Sequence, residues 1–229
     1  MYRLSVALLL AASAAHADTG VGTIKGTVLY EGEPPDRPTQ KRTDPYCAKT
    51  PGLGEDVVVN KGKLRDVVVR IKNGTTGAHT APADPVVIDQ RGCTYAPHVV
   101  GVMAGQKLAI RNSDGTFHNV HGTVHDKTLW NKPQEAKGPE LSLETGAADD
   151  VIELKCDVHA WMHAWVVVQD SPYFAVTGDD GSFVIKDLPV GTYTLEAWHP
   201  TLGTRTLTVK IGTLARGQVT ARFSYKSSD

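Results

Sequence analysis

Cys156, His159 and Met162 stand three residues apart in the run Cys156-Asp157-Val158-His159-Ala160-Trp161-Met162, a C-x2-H-x2-M pattern. A thiolate, an imidazole and a thioether in so short a stretch can converge on one metal ion. The residues just before them alternate, with Ile152, Leu154 and Cys156 on one face and Glu153 and Lys155 on the other. Burying Ile152 and Leu154 therefore turns the Cys156 sulfur inward. Trp165 to Val168 reads as the next strand, so the three donors fall on a loop between neighbouring strands. A fourth donor comes from Phe117-His118-Asn119-Val120-His121. There His118 shares a face with Val120, and burial of Val120 selects His118 over His121. Two imidazoles and one thiolate in a plane, with a long weak thioether bond, form a type 1 (blue) copper site suited to one-electron transfer. Zinc is less natural, because methionine is a poor ligand for it and structural zinc prefers Cys and His sets.

The elements that must position these donors are strands. Short β-branched runs recur between Gly, Pro, Asn and Asp clusters, and helical periodicity is nearly absent, which predicts an all-β chain. Strands are expected from Thr23 to Tyr30, near Val57–Val59 and Val67–Ile71, and again from Val86 to Gln169 around the donors. Glu31 to Pro51 carries five prolines and reads as a long surface loop. Thr123 to Gly146 is polar, weakly patterned and also expected as a loop. After Asp170-Ser171-Pro172 a second series begins, with an Asp180-Gly181 hairpin turn and strongly alternating strands over Thr192–Trp198, Thr204–Ile211 and Val219–Tyr225. The expected division is a signal segment at 1–17, a copper domain with an N-terminal extension at 18–170, and a smaller β-sandwich at 171–229.

Residues 1–17 carry Arg3, an apolar stretch from Val6 to Ala12 and Ala15-His16-Ala17 as an A-x-A cleavage site, which reads as a secretory signal. That stretch is too short to span a bilayer, and no transmembrane segment is expected elsewhere. The expected location is the periplasm, the cell envelope or the medium. Three cysteines in an exported chain leave one unpaired. The simplest partition is a Cys47–Cys93 disulfide with Cys156 kept for metal.

The residues Phe117-His118-Asn119-Val120-His121 with Cys156-x2-His159-x2-Met162 resemble the cupredoxins, of the plastocyanin and amicyanin kind, and match amicyanin most closely in ligand spacing. The resemblance covers roughly residues 86 to 169. It implies a Greek-key β-sandwich, one copper ion on His118, Cys156, His159 and Met162, and Asn119 beside the first histidine steadying the thiolate and the loops. It also implies that His159, on the loop nearest solvent, is the electron exit. The long segment between the two ligand halves, and Trp161 and His163 flanking Met162, depart from the usual pattern. Residues 172 to 225, through Tyr173-Phe174-Ala175-Val176-Thr177, Gly181-Ser182-Phe183 and Leu188-Pro189-Val190-Gly191-Thr192-Tyr193, resemble the carboxypeptidase regulatory-like, transthyretin-like domains. That match implies fold and little about activity.

Other residues have simpler readings. His121, His125 and His163 read as surface residues, with a weak second metal site left open. His98 reads as a hydrogen-bonded structural histidine, Asp179 and Asp180 as turn residues, and Trp161 and Trp165 as packing, with Trp161 a candidate for an electron path. No nucleophile elbow, phosphate-binding glycine loop, C-x-x-C or H-E-x-x-H occurs. Without its signal the chain holds 23 basic against 25 acidic side chains, which excludes a basic nucleic-acid footprint. The expected function is an exported electron carrier serving a redox protein such as a c-type cytochrome, and not an enzyme. The alternatives are copper delivery or storage, for which only Met103 and Met162 follow the signal, and an envelope-binding module that keeps the frame.

Overall fold

Alternating burial shapes almost every element. A computed structural model describes residues 20–212 and 217–226; the expected signal at 1–17 lies outside them. The strands are β1 (Val21–Glu31), β2 (Val59–Asn60), β3 (Lys63–Leu64), β4 (Val68–Asn73), β5 (Val86–Gln90), β6 (Tyr95–Ala96), β7 (Val99–Met103), β8 (Leu108–Asn112) and β9 (His118–Val124). They continue as β10 (Lys127–Gln134), β11 (Leu141–Leu143), β12 (Val151–Lys155), β13 (His163–Gln169), β14 (Phe174–Val176), β15 (Ser182–Pro189), β16 (Gly191–His199), β17 (Gly203–Ile211) and β18 (Gln218–Lys226). A single 3-10 turn, Cys47–Lys49, is the only helical element among the described residues. The chain is all-β, and no helix among the described residues is long and apolar enough to cross a membrane.

Four sheets enclose two main cores. One sheet, in the order β10-β9-β12-β13-β7, faces another, β11-β8-β5-β6. Between them lie Ile88, Leu108, Ile110, Val120, Ile152, Leu154 and Val166, with Cys156 and Met162 in the same apolar cluster. The second core holds Ile24, Val28, Leu64, Leu195, Phe223 and Tyr225. It lies between the sheet of β15, β1, β3 and β2, to which β18 adds by pairing with β1, and the sheet β14-β4-β16-β17. Val68, Val99 and Val167 join the two units, with Trp165 and Trp198 edge to face at 6.2 Å.

The pairing corrects the expected division at residue 170. β1 runs parallel to β18 from Thr23 opposite Gln218 to Glu31 opposite Lys226, and β4 lies between β14 and β16. The N-terminal strands thus belong to the second sandwich, and the unit carrying His118, Cys156, His159 and Met162 is inserted between its two halves. The inward positions of β1 alternate clearly, but alternation names a buried face and not the strand that pairs with it. The segment that carries Cys47 crosses back, bringing Cys47 into the core beside Cys156 and Met162.

The expected loop at 123–146 holds two strands. β10 returns along β9 through His125 and Asp126, both at positive φ, as a tight hairpin turn requires. As an edge strand β10 exposes most of its side chains, so it lacks the apolar alternation that marks a strand in sequence. Gly122 lets the Trp130 ring lie where a Cβ would stand.

At the end of β16, His199 is 1% exposed and its Nδ1 accepts hydrogen bonds from the backbone N–H groups of Thr201 and Leu202, each at 3.2 Å. Burial pushes its pKa down to about 4. The unfolded chain takes up this proton near pH 6.5, so between the two values it holds more protons than the native state. The contribution of His199 to stability is therefore complete above about pH 6.5 and falls with acidification, by about 3 kcal/mol at pH 4. His199→Gln keeps an acceptor and should flatten this slope. Urea midpoints at pH 7 and pH 4.5 check it, and an equal slope in both proteins would refute it.

Candidate metal centre

The C-x2-H-x2-M run closes the hairpin between β12 and β13, which pair from Val151 opposite Val167 to Lys155 opposite His163. Two successive turns follow, with His159 N–H donating to Cys156 O at 3.2 Å and Met162 N–H to His159 O at 2.8 Å. Cys156 N–H donates to Met162 O at 3.2 Å and seals the neck. Turns of this i to i+3 kind stack residues three apart on one side, which is why the donor types recur at that interval. The alternation of β12, with Ile152 and Leu154 fully buried, continues into Cys156.

His118 opens β9 beside β12 and is 0% exposed; Cys156 and Met162 are 2% exposed and His159 is 3% exposed. The structure brings His118, Cys156 and His159 together as potential metal donors. His118 Nδ1 lies 2.9 Å from His159 Nδ1, and Cys156 Sγ lies 4.0 Å and 3.6 Å from these two nitrogens. A triangle with these sides has its equidistant point about 2.1 Å from each corner, the length of a transition-metal bond to imidazole or slightly less than one to thiolate. The donor set therefore fits a single ion. Met162 is buried in the cluster that holds Cys156. His121 points elsewhere, between Asp157 Oδ1 and Thr128 Oγ1, each at 2.9 Å.

The outer nitrogens of both imidazoles face carboxylates that sequence reasoning missed. His118 Nε2 lies 3.0 Å from Asp114 Oδ2, and His159 Nε2 lies 3.5 Å from Asp44 Oδ2. Asp114 stands in Ser113-Asp114-Gly115, and an Asp four residues before a ligand histidine is a usable signal. Asp44 stands in the proline-rich loop and carried none beyond its place three residues before Cys47.

Burial works against charge at these groups, and their partners decide the outcome. For His118 burial is outweighed by Asp114 and the Cys156 sulfur, and its pKa is raised. For Cys156 burial is outweighed by His118 and by the backbone N–H groups of Asn119 and Val158, and the thiol is lowered. Asp114 is also held low despite burial, by His118 and by the N–H groups of Cys93 and Gly92. His159 is lowered by burial and by the charge of His118. Of the two imidazoles, His118 is thus the one favoured to carry a positive charge.

Asn119 ties the two ligand segments together. Its Oδ1 accepts from Asp157 N–H at 2.6 Å and its Nδ2 donates to Asp157 Oδ2 at 2.9 Å. The buried Tyr95 hydroxyl adds a second tie, lying 2.9 Å from Asn119 O and 3.0 Å from Lys155 O. Cys47 and Cys93 form a disulfide, and Cys156 is a free, buried cysteine.

The expected exposure of His159 is corrected. Asp44, Cys47 and the Trp161 ring surround it, the ring with its centroid at 5.0 Å. The sequence placed His159 on a loop, but the segment covering it comes from more than a hundred residues earlier. On that loop Asp157, Val158 and Ala160 meet solvent instead, Val158 at 53% exposure.

The family described as ER membrane protein complex subunit 7, beta-sandwich domain, matches residues 157–227. Solved structures similar to part of the chain include a purple cupredoxin from Nitrosopumilus maritimus, at 20% identity over 37% of this chain and 99% of that one, with a TM-score of 0.33. Amicyanin from Paracoccus versutus is similar at 19% identity over 44% of this chain and 97% of that one, with a TM-score of 0.34. A Cu-containing nitrite reductase from Thermus scotoductus is similar at 17% identity over 43% of this chain and 25% of that one, with a TM-score of 0.33. No curated protein matches the sequence.

Proposed function

We propose that this chain is an exported one-electron carrier that holds a single copper ion on His118, His159, Cys156 and Met162. The observation that carries the reading is the buried triangle of two Nδ1 atoms and one thiol sulfur, sized for one ion. Copper supplies the redox couple, and the thiolate couples it strongly to the protein. The residues of the chain fix the donors at the start of β9 and on the loop between β12 and β13, keep water away and hold the imidazole rings in place. Such a frame limits the rearrangement between Cu(I) and Cu(II). Four protein donors leave no open position for a substrate, which favours a carrier over an enzyme.

The apolar start of the chain supports export to the periplasm or beyond. The partner is a redox protein such as a c-type cytochrome, meeting the loop at Val158 and Ala160 with Trp161 leading inward to His159. Copper delivery or storage requires ready exchange, which the covered His159 disfavours. Copper(II)-loaded protein should show an intense visible thiolate-to-copper band and the narrow copper hyperfine splitting of a type 1 site in paramagnetic resonance. A colourless copper(II) complex that does not cycle reversibly by one electron would refute the proposal.

A further inference from the structure

We propose that Asp44 and Asp114 are positioning residues for the two ligand imidazoles, and that the Cys47–Cys93 disulfide is the strut that carries both and closes the centre. This rests on the copper reading above. Each carboxylate is built onto the backbone of one half-cystine and reaches the outer nitrogen of one ligand. Asp114 accepts the N–H of Gly92 at 2.7 Å and of Cys93 at 2.8 Å while it faces His118 Nε2. Asp44 accepts the N–H of Tyr46 at 2.7 Å and of Cys47 at 3.0 Å while its other oxygen faces His159 Nε2. The disulfide joins the two halves, and the Cys47 sulfur itself lies 3.9 Å from His159 Nε2.

Three further hydrogen bonds, from two side chains, hold the same cover. Arg42 donates from Nη1 to Gly92 O at 2.7 Å and to Thr50 O at 2.9 Å, spanning the two segments. Trp161 donates to Cys93 O at 3.1 Å while its ring lies on His159. A carboxylate on the outer N–H of a ligating imidazole fixes its tautomer and ring angle and raises its basicity, and loss of such a partner weakens metal binding about 10–100-fold. Here Asp114 holds His118 Nε2 at the hydrogen-bond distance of 3.0 Å, Asp44 faces His159 Nε2 at 3.5 Å, and one covalent strut sets the positions of both. A metal held by these donors would therefore lie behind a closed cover, and its release would require that cover to move.

The test uses the full chain and its Asp114→Asn, Asp44→Asn and Cys47→Ser/Cys93→Ser variants. Release of Cu(I) to a chromogenic chelator should be about 10–100-fold faster in each than in the parent. In the zinc-loaded, diamagnetic parent both Nε2–H protons should be visible and slow to exchange with solvent. Asp44→Asn should speed exchange at His159 alone and Asp114→Asn at His118 alone, a selectivity that general loosening does not produce. Asp44 is on the outside of the cover, so its variant remains informative if Asp114→Asn does not fold. Parent-like release and exchange in Asp44→Asn and the disulfide variant would overturn this inference. A parent that takes up no copper would overturn the copper reading instead.

Discussion

Replacing Cys156 with serine should abolish the intense visible absorption of the copper(II) protein and lower its copper affinity by more than the 10–100-fold that an outer carboxylate contributes. The reason is positional as well as electronic. Cys156 is one corner of the donor triangle, and its thiol is already lowered by His118 and by two backbone N–H groups. Serine is nearly isosteric, so the β12–β13 hairpin and its surrounding core should persist. A hydroxyl, however, stays protonated where a thiol ionises and lacks the soft sulfur that copper favours. The expected product is folded protein with a pale, weakly held copper ion or none. Absorption titration with copper(II), alongside far-ultraviolet dichroism to confirm folding, checks it. A serine variant as strongly coloured as the parent would remove Cys156 from the site.

Loss of the disulfide should have the largest effect on stability. Cys47 and Cys93 are 46 residues apart, and closing a loop of that length lowers the entropy of the unfolded chain by an amount worth about 4 kcal/mol. The native contribution adds to this, because Cys47 lies in the donor core and carries the proline-rich segment onto it. Without the bond that segment is held by Arg42, the Asp44 turn and packing. The Cys47→Ser/Cys93→Ser protein should unfold at markedly lower urea concentration than the disulfide-bonded parent. Reduced parent should resemble the variant. A difference below about 1 kcal/mol would mean that the segment docks without the bond.

What the sequence showed of this site depended on how local each signal was. The C-x2-H-x2-M run was legible because its period of three is that of two successive tight turns, and the Ile152, Leu154, Cys156 alternation gave the direction of the sulfur. The pattern around Val120 placed His118 in the same way. Asp44 was illegible because its contact with His159 spans more than a hundred residues, and nothing in a proline-rich stretch says which surface it will cover. The same limit hid the β1–β18 pairing: both strands alternate strongly, but the inserted unit of residues 86–169 separates them in the chain, and the expected division at residue 170 placed β1 with that unit. β10 was missed for the opposite reason, since an edge strand facing solvent needs no apolar stripe.

The most direct test of the account is X-ray absorption at the copper edge of the loaded full-length protein. Two imidazole nitrogens and one short sulfur neighbour are predicted, with the sulfur signal lost in Cys156→Ser and one imidazole lost in His118→Ala. A shell of nitrogen and oxygen alone, unchanged by either substitution, would contradict the proposed centre.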